Sequence, residues 1–262
     1  MAEPSRYLGP DDPITDDALT GGYRVYQRER GHRYSLDDVA TAYEAIRAKP
    51  EARRCCDLGC GLGSVLLMVA YKLPLARFDA VEAQEVSFEL VRRNVERNGQ
   101  GERIRLFHGD LRDEAVLSRL DAPFDLVTGT PPYMPPGTST PAPDSQKAHA
   151  RVELRGGVED YLASMGRLLG ENGRAVVCCD ARAPERALRG GEAAGLVPVR
   201  MREFVPRDGQ KALFTVFVFA RRDEHSLPME RAEPFVARTS EGKRSEAYLD
   251  LRTFFDLPPH TR

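Results

Sequence analysis

The sequence predicts an α/β fold in which helices cover both faces of a doubly wound, mostly parallel seven-stranded sheet. Three observations support this prediction: short apolar segments are typical of strands, amphipathic segments alternate with them, and the last two strand segments have no helix between them. A C-terminal hairpin would therefore add one antiparallel strand. The strand segments are 53–58, 77–82, 103–108, 123–129, 174–179, 196–204 and 212–219, and the helix segments are 64–72, 84–98, 113–120, 157–170 and 183–194.

The segments before and after this core predict further elements. Residues 1–22 are rich in Pro, Asp and Gly and predict little order, whereas residues 23–35 predict a short hairpin that turns near Gly31. Residues 36–48 have helical apolar spacing, and the polar tail ends in one amphipathic helix, AYLDLRTFFDL. The predicted parts are an N-terminal hairpin and helix over 1–48 that pack on the core, a core over 49–222 and a C-terminal extension over 223–262.

The composition favours a globular protein of the cytoplasm. Of the 262 residues, 41% are hydrophobic and 30% are charged, which is an ordinary globular mixture. The sequence has no apolar run of the roughly 18 residues that span a bilayer. Its N-terminus lacks the basic start and apolar stretch of a signal peptide. We therefore expect a cytoplasmic protein without membrane contact.

The charge distribution bears on possible partners. The net charge is −2, so a nucleic-acid partner would need a local basic patch. The N-terminal segment offers one, in which basic residues are interleaved with tyrosines. The patch comprises Arg24, Arg28, Arg30, His32 and Arg33 together with Tyr23, Tyr26 and Tyr34. It is compatible either with RNA contact or with a solvated hairpin, and the sequence leaves the oligomeric state open.

The five cysteines predict reduced thiols in the core. Cys55, Cys56 and Cys60 lie in and just after one apolar run, and Cys178 and Cys179 end another. Adjacent residues of a strand point to opposite faces of the sheet, and the sequence contains no CxxC pair. We therefore expect neither a metal site nor a disulfide.

The strongest local signal is the run Asp57-Leu58-Gly59-Cys60-Gly61-Leu62-Gly63, which follows an apolar strand and precedes a helix. Glycines allow a tight turn and close approach of a ligand, and the helix presents unpaired N–H groups. Such runs also occur in folds that bind NAD or nucleotides. Asp57, however, would repel a pyrophosphate and suits a cationic ligand that carries an amino group.

Two further acids end the next two strand segments. Glu82 follows the glycines at the spacing where a carboxylate binds both hydroxyls of an adenosine ribose. Asp110 ends the third strand, where an acid can accept a hydrogen bond from the adenine amino group. Each acid alone could be a turn residue or a helix N-cap. Together with Asp57 they predict one adenosine site, because ligands bind at the carboxyl ends of parallel strands.

This combination resembles the class I S-adenosylmethionine-dependent methyltransferases, a family with a Rossmann-like fold. The first motif of that family is matched by Asp57, Gly59, Gly61 and Gly63, its ribose acid by Glu82 and its adenine acid by Asp110. The resemblance implies that S-adenosylmethionine is the cofactor and that it binds across these strand ends. The neighbouring residues Cys60, Ala83 and Leu111 would line the same site.

A second motif, Thr130-Pro131-Pro132-Tyr133, follows the fourth strand and opens a proline-rich loop over 131–150. The family resembled here carries Asn-Pro-Pro-Tyr at this position in enzymes that methylate planar nitrogens, such as adenine N6, cytosine N4 and the glutamine amide. There the Asn oxygen and the first Pro carbonyl hold the amine hydrogens, the prolines fix that carbonyl, and the aromatic ring stacks on a flipped base. The resemblance implies these roles for residues 130–133, with Thr130 also beside the cofactor.

Thr130 departs from that motif, because its hydroxyl is shorter than an Asn amide and is not planar. Loss of one good acceptor costs about 1–3 kcal/mol, or roughly ten- to a hundredfold in rate. Three interpretations remain open. Thr130 could substitute through its hydroxyl or backbone, the substrate could be one without that amine, or only binding could be kept.

The resemblance extends over residues 18–222, and this part of the sequence is similar to the bacterial valine-tRNA adenine-N6 methyltransferase group. It implies that Asp37 lies near the cofactor, although an N-cap role for Asp37 is equally compatible with the sequence. Arg151 and Arg155, which follow the proline-rich loop, and Arg33 would contact the substrate. The leading hypothesis is therefore methylation of an exocyclic base amine, adenine N6, in tRNA or another RNA.

Two alternatives remain at this level. One is methylation of a protein glutamine amide or a small molecule, which the acidic pI and the missing Asn favour slightly. The other is a non-catalytic RNA-binding module with the same fold, which need not keep the three acids of a cofactor site.

Overall fold

The computed structural model describes residues 13–137, 144–224 and 227–257. The strands are β1 (Ile14–Thr20), β2 (Tyr23–Arg28), β3 (Arg54–Leu58), β4 (Arg77–Glu82), β5 (Ile104–His108), β6 (Phe124–Gly129), β7 (Leu169–Asp180), β8 (Leu196–Val205), β9 (Phe214–Arg221), β10 (Glu230–Arg231) and β11 (Phe235–Val236). The helices are α1 (Leu36–Ala48), α2 (Ser64–Lys72), α3 (Glu85–Arg97), α4 (Glu114–Leu117), α5 (Ser145–Arg151), α6 (Val158–Leu168), α7 (Pro184–Ala193) and α8 (Glu246–Phe254).

The predicted seven-stranded sheet is confirmed. Its order is β8-β9-β7-β6-β3-β4-β5, and β9 runs antiparallel to the other six strands. The direct turn from β8 to β9 causes this reversal, as the missing helix between them predicted. The C-terminal extension widens the sheet, because the two-residue strands β10 and β11 both pair with the outer edge of β8.

The sheet separates two apolar layers. Residues of α1, α2 and α3 fill the layer on one face, and residues of α4, α6 and α7 fill the layer on the other. The two cysteine pairs show the alternation of a strand: Cys55 and Cys178 belong to the first layer, and Cys56 and Cys179 to the second. All five cysteines are buried free thiols.

The N-terminal hairpin lies upstream of the predicted position. Strand β1 covers residues expected to have little order, and the turn falls at Gly21–Gly22 rather than near Gly31. Gly21 has φ of 49°, a conformation that glycine adopts at little cost. Gly31 serves close packing instead, since a Cβ there would lie 2.2 Å from the side-chain oxygen of Gln146. Residues 1–12 lie outside the described part of the chain.

One asparagine joins this hairpin to the core. Asn94 of α3 is fully buried; its side-chain oxygen accepts a hydrogen bond from the Tyr26 amide, and its side-chain nitrogen donates to the Tyr26 and Leu62 carbonyls. Leu62 belongs to the glycine run, so the hairpin and this run share one anchor. Amphipathic spacing does not reveal such a contact, because it depends on a polar side chain at a buried position.

The proline-rich loop contains an element that the sequence did not predict. Helix α5 occupies the end of the predicted loop, and its N-cap Asp144 accepts a hydrogen bond from the Lys147 amide. Met134 and Val152 form a bridge that brings the two ends of the segment together. Residues 138–143 lie outside the described part of the chain.

Candidate functional site

The carboxyl ends of β3, β4, β5 and β6 open onto one crevice, as parallel strands of a single sheet require. Its lining includes many predicted site residues. These are Gly59, Cys60, Gly61, Glu82, Ala83, Asp110, Leu111, Thr130, Pro132 and Arg155. The segments involved are separated by up to about a hundred residues of chain, and folding brings them to one edge of the sheet.

The three glycines of the first motif all have positive φ, but the space beside them differs. Gly59, Gly61 and Gly63 have φ of 61°, 58° and 90°. A Cβ at Gly59 would meet the Tyr161 hydroxyl at 2.0 Å, and one at Gly63 would meet Val91 at 2.7 Å. A Cβ at Gly61 would meet nothing within 4 Å. Gly59 and Gly63 therefore permit packing inside the protein, whereas Gly61 leaves space on the crevice side for a ligand.

Glu82 is held rigidly at the floor of the crevice. Its two carboxylate oxygens accept hydrogen bonds of 2.7 Å from the amides of Gly61 and Gln84. Burial raises the pKa of this carboxyl group, and Arg155 is the cation that opposes the shift. Each oxygen keeps a second lone pair. The carboxylate is therefore preoriented to accept two further hydrogen bonds, as a pair of ribose hydroxyls would supply.

Asp57 lies directly below this floor rather than in the lining, and it is 2% exposed. Its Oδ1 accepts a hydrogen bond of 2.7 Å from the Thr128 hydroxyl, and its Oδ2 makes none of normal geometry within the described residues. Burial raises the pKa of Asp57 to about 7, although Thr128 and the facing Leu66 amide lower it. An unsatisfied buried carboxylate oxygen suits a ligand that brings a donor or a positive charge.

The acid of the N-terminal helix that lines the crevice is Asp38, the neighbour of the predicted Asp37. Asp38 is buried, accepts the Ser35 amide at 2.8 Å and has its pKa raised to about 8, first by burial and then by Asp37. Asp37 instead accepts a hydrogen bond of 3.1 Å from the Tyr133 hydroxyl. The geometry thus associates Asp37 with the second motif and Asp38 with the crevice.

Asp110 is less buried than the other acids. Its carboxylate accepts hydrogen bonds of 2.7–2.9 Å from the Arg112 side chain, which lowers the pKa of Asp110. Its neighbour Leu111 is fixed by the Ser164 hydroxyl, which donates to the Leu111 carbonyl at 2.8 Å. Asp110 therefore stays ionised at the open end of the crevice, where an exocyclic amine could approach it.

The second motif continues the crevice wall from the end of β6. Thr130 and Pro132 line the crevice, Pro131 is buried beside them, and no hydrogen bond engages the Thr130 hydroxyl within the described ranges. Tyr133 lines a second cavity, which Pro132 also lines. Its hydroxyl lies 3.1 Å from Asp37 and 3.0 Å from the Cys178 sulfur, so the orientation of the ring is fixed. Burial raises the pKa of Tyr133, which stays neutral.

Most of the predicted basic patch is neutralised by neighbouring acids. Arg24 pairs with Asp16 at 2.9 Å, Arg28 with Asp144 at 2.8 Å and Arg33 with Asp17 at 2.8 Å. Arg33 lies outside the crevice, and of the patch only His32 and Tyr34 line it. Burial lowers the pKa of His32, so this side chain contributes no fixed charge at neutral pH.

Basic residues without an acidic partner lie elsewhere on the rim. Lys147 and Arg151 of α5, and Arg155 shortly after it, form no ion pair within the described part of the chain. Arg155 lines the crevice, and Arg151 is exposed at the end of the helix. We call these three residues the rim cations. In the sequence Lys147 lies near the end of the proline-rich loop and the two arginines follow it, but the sequence does not show which basic side chains remain unpaired.

Several lining residues were not predicted. They are His32, Tyr34, Asp38, Leu62, Ser64, Val81, Gln84, Ser87, Gly109, Gln146, His149, Ala150, Gly156 and Tyr161. Gln84 carries a local signal, because it is the N-cap of α3 and follows Glu82 closely. Gln146 and Tyr161 carry none, since their approach to the crevice depends on how α5 and α6 pack.

Two absences complete the description of these residues. Among residues 13–137, 144–224 and 227–257, no helix combines the length and apolar character needed to cross a bilayer. The same ranges contain no group of three His, Cys, Asp or Glu side chains arranged to bind a metal ion.

Comparisons with known proteins agree with this architecture. Residues 36–151 match the family model described as the methyltransferase small domain. The chain is 32% identical over 123 residues to a tRNA1(Val) (adenine(37)-N6)-methyltransferase of Porphyromonas gingivalis, covering 47% of this chain and 48% of that protein. The chain thus spans about half the length of that relative.

Other relatives extend the range of acceptors and the length of the match. The protein of the same name from Aeromonas hydrophila is 28% identical over 209 residues, covering 79% of this chain and 83% of that one. A release factor glutamine methyltransferase of Geobacter sulfurreducens is 34% identical over 122 residues, covering 46% and 41%.

A solved structure shows the same fold at low identity. It is a predicted O-methyltransferase from Agrobacterium tumefaciens, with a TM-score of 0.62 and 18% identity, covering 87% of this chain and 99% of that one. Residues 36–151 thus resemble the methyltransferase small domain, and the chain has the fold of that solved structure.

Proposed function

We propose that the chain is an S-adenosylmethionine-dependent N-methyltransferase that acts on an exocyclic base amine, adenine N6, in tRNA or another RNA. The observation that carries this proposal is the position of Thr130 and Pro132. They line the same crevice as Glu82 and Asp110, and this shared position supports a planar-nitrogen motif beside an adenosine-type site.

The residues present fit the cofactor. Gly61 leaves open space, Glu82 offers two oriented carboxylate oxygens, and Asp57 has a buried oxygen without a hydrogen bond among the described residues. Asp38 adds a second acid near Asp57. When bound, S-adenosylmethionine would supply an electrophilic methyl group on a positively charged sulfur. In this proposal, Glu82 binds the ribose and Asp110 binds the adenine amine.

The acceptor side would work by orientation. The Pro131 carbonyl is aimed by two consecutive prolines, and the Thr130 hydroxyl is available as a second acceptor for the amine hydrogens. Tyr133, fixed through Asp37 and Cys178, would offer its ring to the base. Positioning of nitrogen against a reactive methyl group supplies much of such a rate enhancement.

RNA is favoured as the carrier of the base by the rim cations. Lys147, Arg151 and Arg155 can neutralise phosphate charge because no carboxylate pairs with them within the described residues. Two of the relatives are named as tRNA adenine-N6 methyltransferases. A cytoplasmic location is part of this proposal, since tRNA substrates would be encountered there.

The test uses the full chain, labelled S-adenosylmethionine and total tRNA from cells that lack the corresponding modification. We expect label in N6-methyladenosine after digestion to nucleosides. If the protein binds the cofactor but labels no nucleoside, the proposed acceptor is wrong.

A second candidate acceptor is a protein glutamine amide. It is favoured by the relatives named as release factor glutamine methyltransferases and by the ion pairs that neutralise the N-terminal basic patch. The same assay with a protein lysate in place of tRNA distinguishes them, since label would then enter peptides. Absence of cofactor binding in calorimetry would instead support a non-catalytic module.

A further inference from the structure

Tyr161 of α6 lies against the ends of two strands at the crevice. A Cβ at Gly59, after β3, would lie 2.0 Å from its hydroxyl oxygen, and one at Gly129, in β6, would lie 2.7 Å from its ring. Both positions are glycine, and the ring fits into the space that their missing side chains leave. Tyr161 is 6% exposed and lines the crevice.

The hydroxyl of this buried tyrosine has no hydrogen-bond partner within residues 13–137, 144–224 and 227–257. The hydroxyl oxygen reaches the open space of the crevice, and the hydroxyl of a largely buried tyrosine usually finds a partner. The Ser164 hydroxyl, one turn further along α6, is bonded to the Leu111 carbonyl. The unpaired hydroxyl at the crevice end of the helix therefore points to a ligand as its partner.

The charges around the hydroxyl restrict that ligand. Burial is the main cause that raises the pKa of Tyr161, and the next causes are the charges of Glu82 and Asp57. Neither carboxylate bonds to the hydroxyl, and Asp57 has its own unpaired oxygen. Two anions and a neutral hydroxyl oxygen favour a donor with positive charge.

The position along the crevice indicates which part of the cofactor meets Tyr161. This step rests on the proposed function, in which Asp110 marks the adenine end and Glu82 the ribose. Gly59 lies at the end of β3, two strands from the Asp110 end of β5. The remaining part of the cofactor is its amino-acid end, which carries an ammonium group.

We propose that the Tyr161 hydroxyl accepts a hydrogen bond from the ammonium group of the cofactor's amino-acid end, beside the carboxylate of Asp57. Tyr161 would then be a cofactor-binding residue that no glycine or acid motif identifies. Gly59 and Gly129 would owe their identity partly to this ring.

The test is Tyr161→Phe, measured by titration calorimetry with three ligands. S-adenosylmethionine and S-adenosylhomocysteine carry the amino-acid end, whereas 5′-methylthioadenosine lacks it. We expect affinity for the first two to fall about tenfold and affinity for the third to stay unchanged. Tyr71→Phe is the matched control, because it removes a hydroxyl that bonds Asp256 far from the crevice, and all three affinities should stay the same.

Thermal unfolding without ligand completes the experiment. Because the hydroxyl has no partner among the described residues, Tyr161→Phe should leave the melting temperature unchanged or raise it. A large decrease would show an internal partner and overturn the proposal, as would equal affinities for all ligands or an equal loss for 5′-methylthioadenosine. If the wild-type protein binds none of the three ligands, the proposed function fails instead.

Discussion

The floor and the rim of the crevice have opposite electrostatic character. Asp38 and Glu82 of the floor, and Asp57 directly below it, are buried, and their pKa values are raised because no cation compensates their burial fully. The rim contains Lys147 and Arg151, which no carboxylate neutralises in the described part of the chain. The same edge of one sheet therefore offers buried negative charge beneath exposed positive charge.

This difference suggests how two ligands of opposite charge could share one site. A buried uncompensated carboxylate is destabilising in the free protein and becomes favourable when a cation binds beside it. Exposed unpaired cations act at longer range and weakly, as contacts to a polyanion do. The floor is thus suited to one small cationic ligand, and the rim to a large anionic one. Variants of each region test this difference.

The largest expected effect is on the floor. Glu82→Ala removes both oriented oxygens that would bind the ribose hydroxyls, and we expect affinity for S-adenosylmethionine to fall about a hundredfold. Calorimetry measures it, with Glu102→Ala on the exposed surface as control. Unchanged affinity would show that the adenosine does not lie on this floor.

The free protein should become more stable when the carboxylate of Asp57, below the floor, is neutralised. The Asp57 pKa rises from an ordinary 3.8 to about 7 on folding, so its ionisation destabilises the fold increasingly between pH 4 and 7. Asp57→Asn keeps an oxygen for Thr128 and removes the charge. We expect its free energy of unfolding to match wild type near pH 4 and to exceed it by about 4 kcal/mol above pH 7.

Urea denaturation at several pH values, without ligand, measures this difference. The pH dependence that comes from other acids occurs in both proteins, so it cancels when the free energy of unfolding of the wild type is subtracted from that of the variant. An advantage of the variant that is constant with pH would mean that Asp57 does not carry the shift.

The sequence was sufficient to predict the sheet and much of the crevice floor. The ends of successive parallel strands meet at one edge in this fold, so acids and glycines read at those ends, such as Glu82 and Gly61, could be predicted to converge. The single antiparallel strand followed from the missing helix before β9.

The positions and ion pairs of the remaining site residues depend on packing that no local pattern encodes. Whether Arg24 or Arg151 remains unpaired is decided by acids distant in sequence or in another element, such as Asp16 across the hairpin. The choice between Asp37 and Asp38 depends on the rotation of α1 against the sheet. In the sequence, Tyr161 is indistinguishable from an ordinary apolar position of an amphipathic helix. Its approach to the crevice becomes evident only from its packing against the glycines at the ends of β3 and β6.

A smaller effect is expected where floor and rim meet. Thr130→Asn restores a planar amide acceptor at the crevice wall, and if the acceptor is an adenine amine the kcat on tRNA should rise about tenfold. Cofactor affinity should stay within twofold, measured by calorimetry on the same sample. Lower turnover on tRNA would indicate an acceptor without that amine. The result separates the interpretations of this threonine, since a protein that only binds RNA would gain no activity.

The smallest effects belong to the rim. Lys147→Ala and Arg151→Ala should each weaken tRNA binding about fivefold near physiological salt and reduce the slope of log affinity against log salt by about 0.7 to 0.9, because each removes one phosphate contact. Neither should change cofactor affinity, since neither residue is among those that line the floor.

Arg24→Ala is the matched control for the rim, because it also removes one partly exposed positive charge from the surface. Arg24 is already paired with Asp16, which Arg97 also contacts at 3.3 Å. Filter binding over a range of salt concentrations should therefore give the wild-type slope for this variant. If Arg24→Ala lowers the slope as much as Arg151→Ala does, the hairpin contacts RNA despite its ion pairs. Pairing within the protein would then be a poor guide to which cations face the substrate.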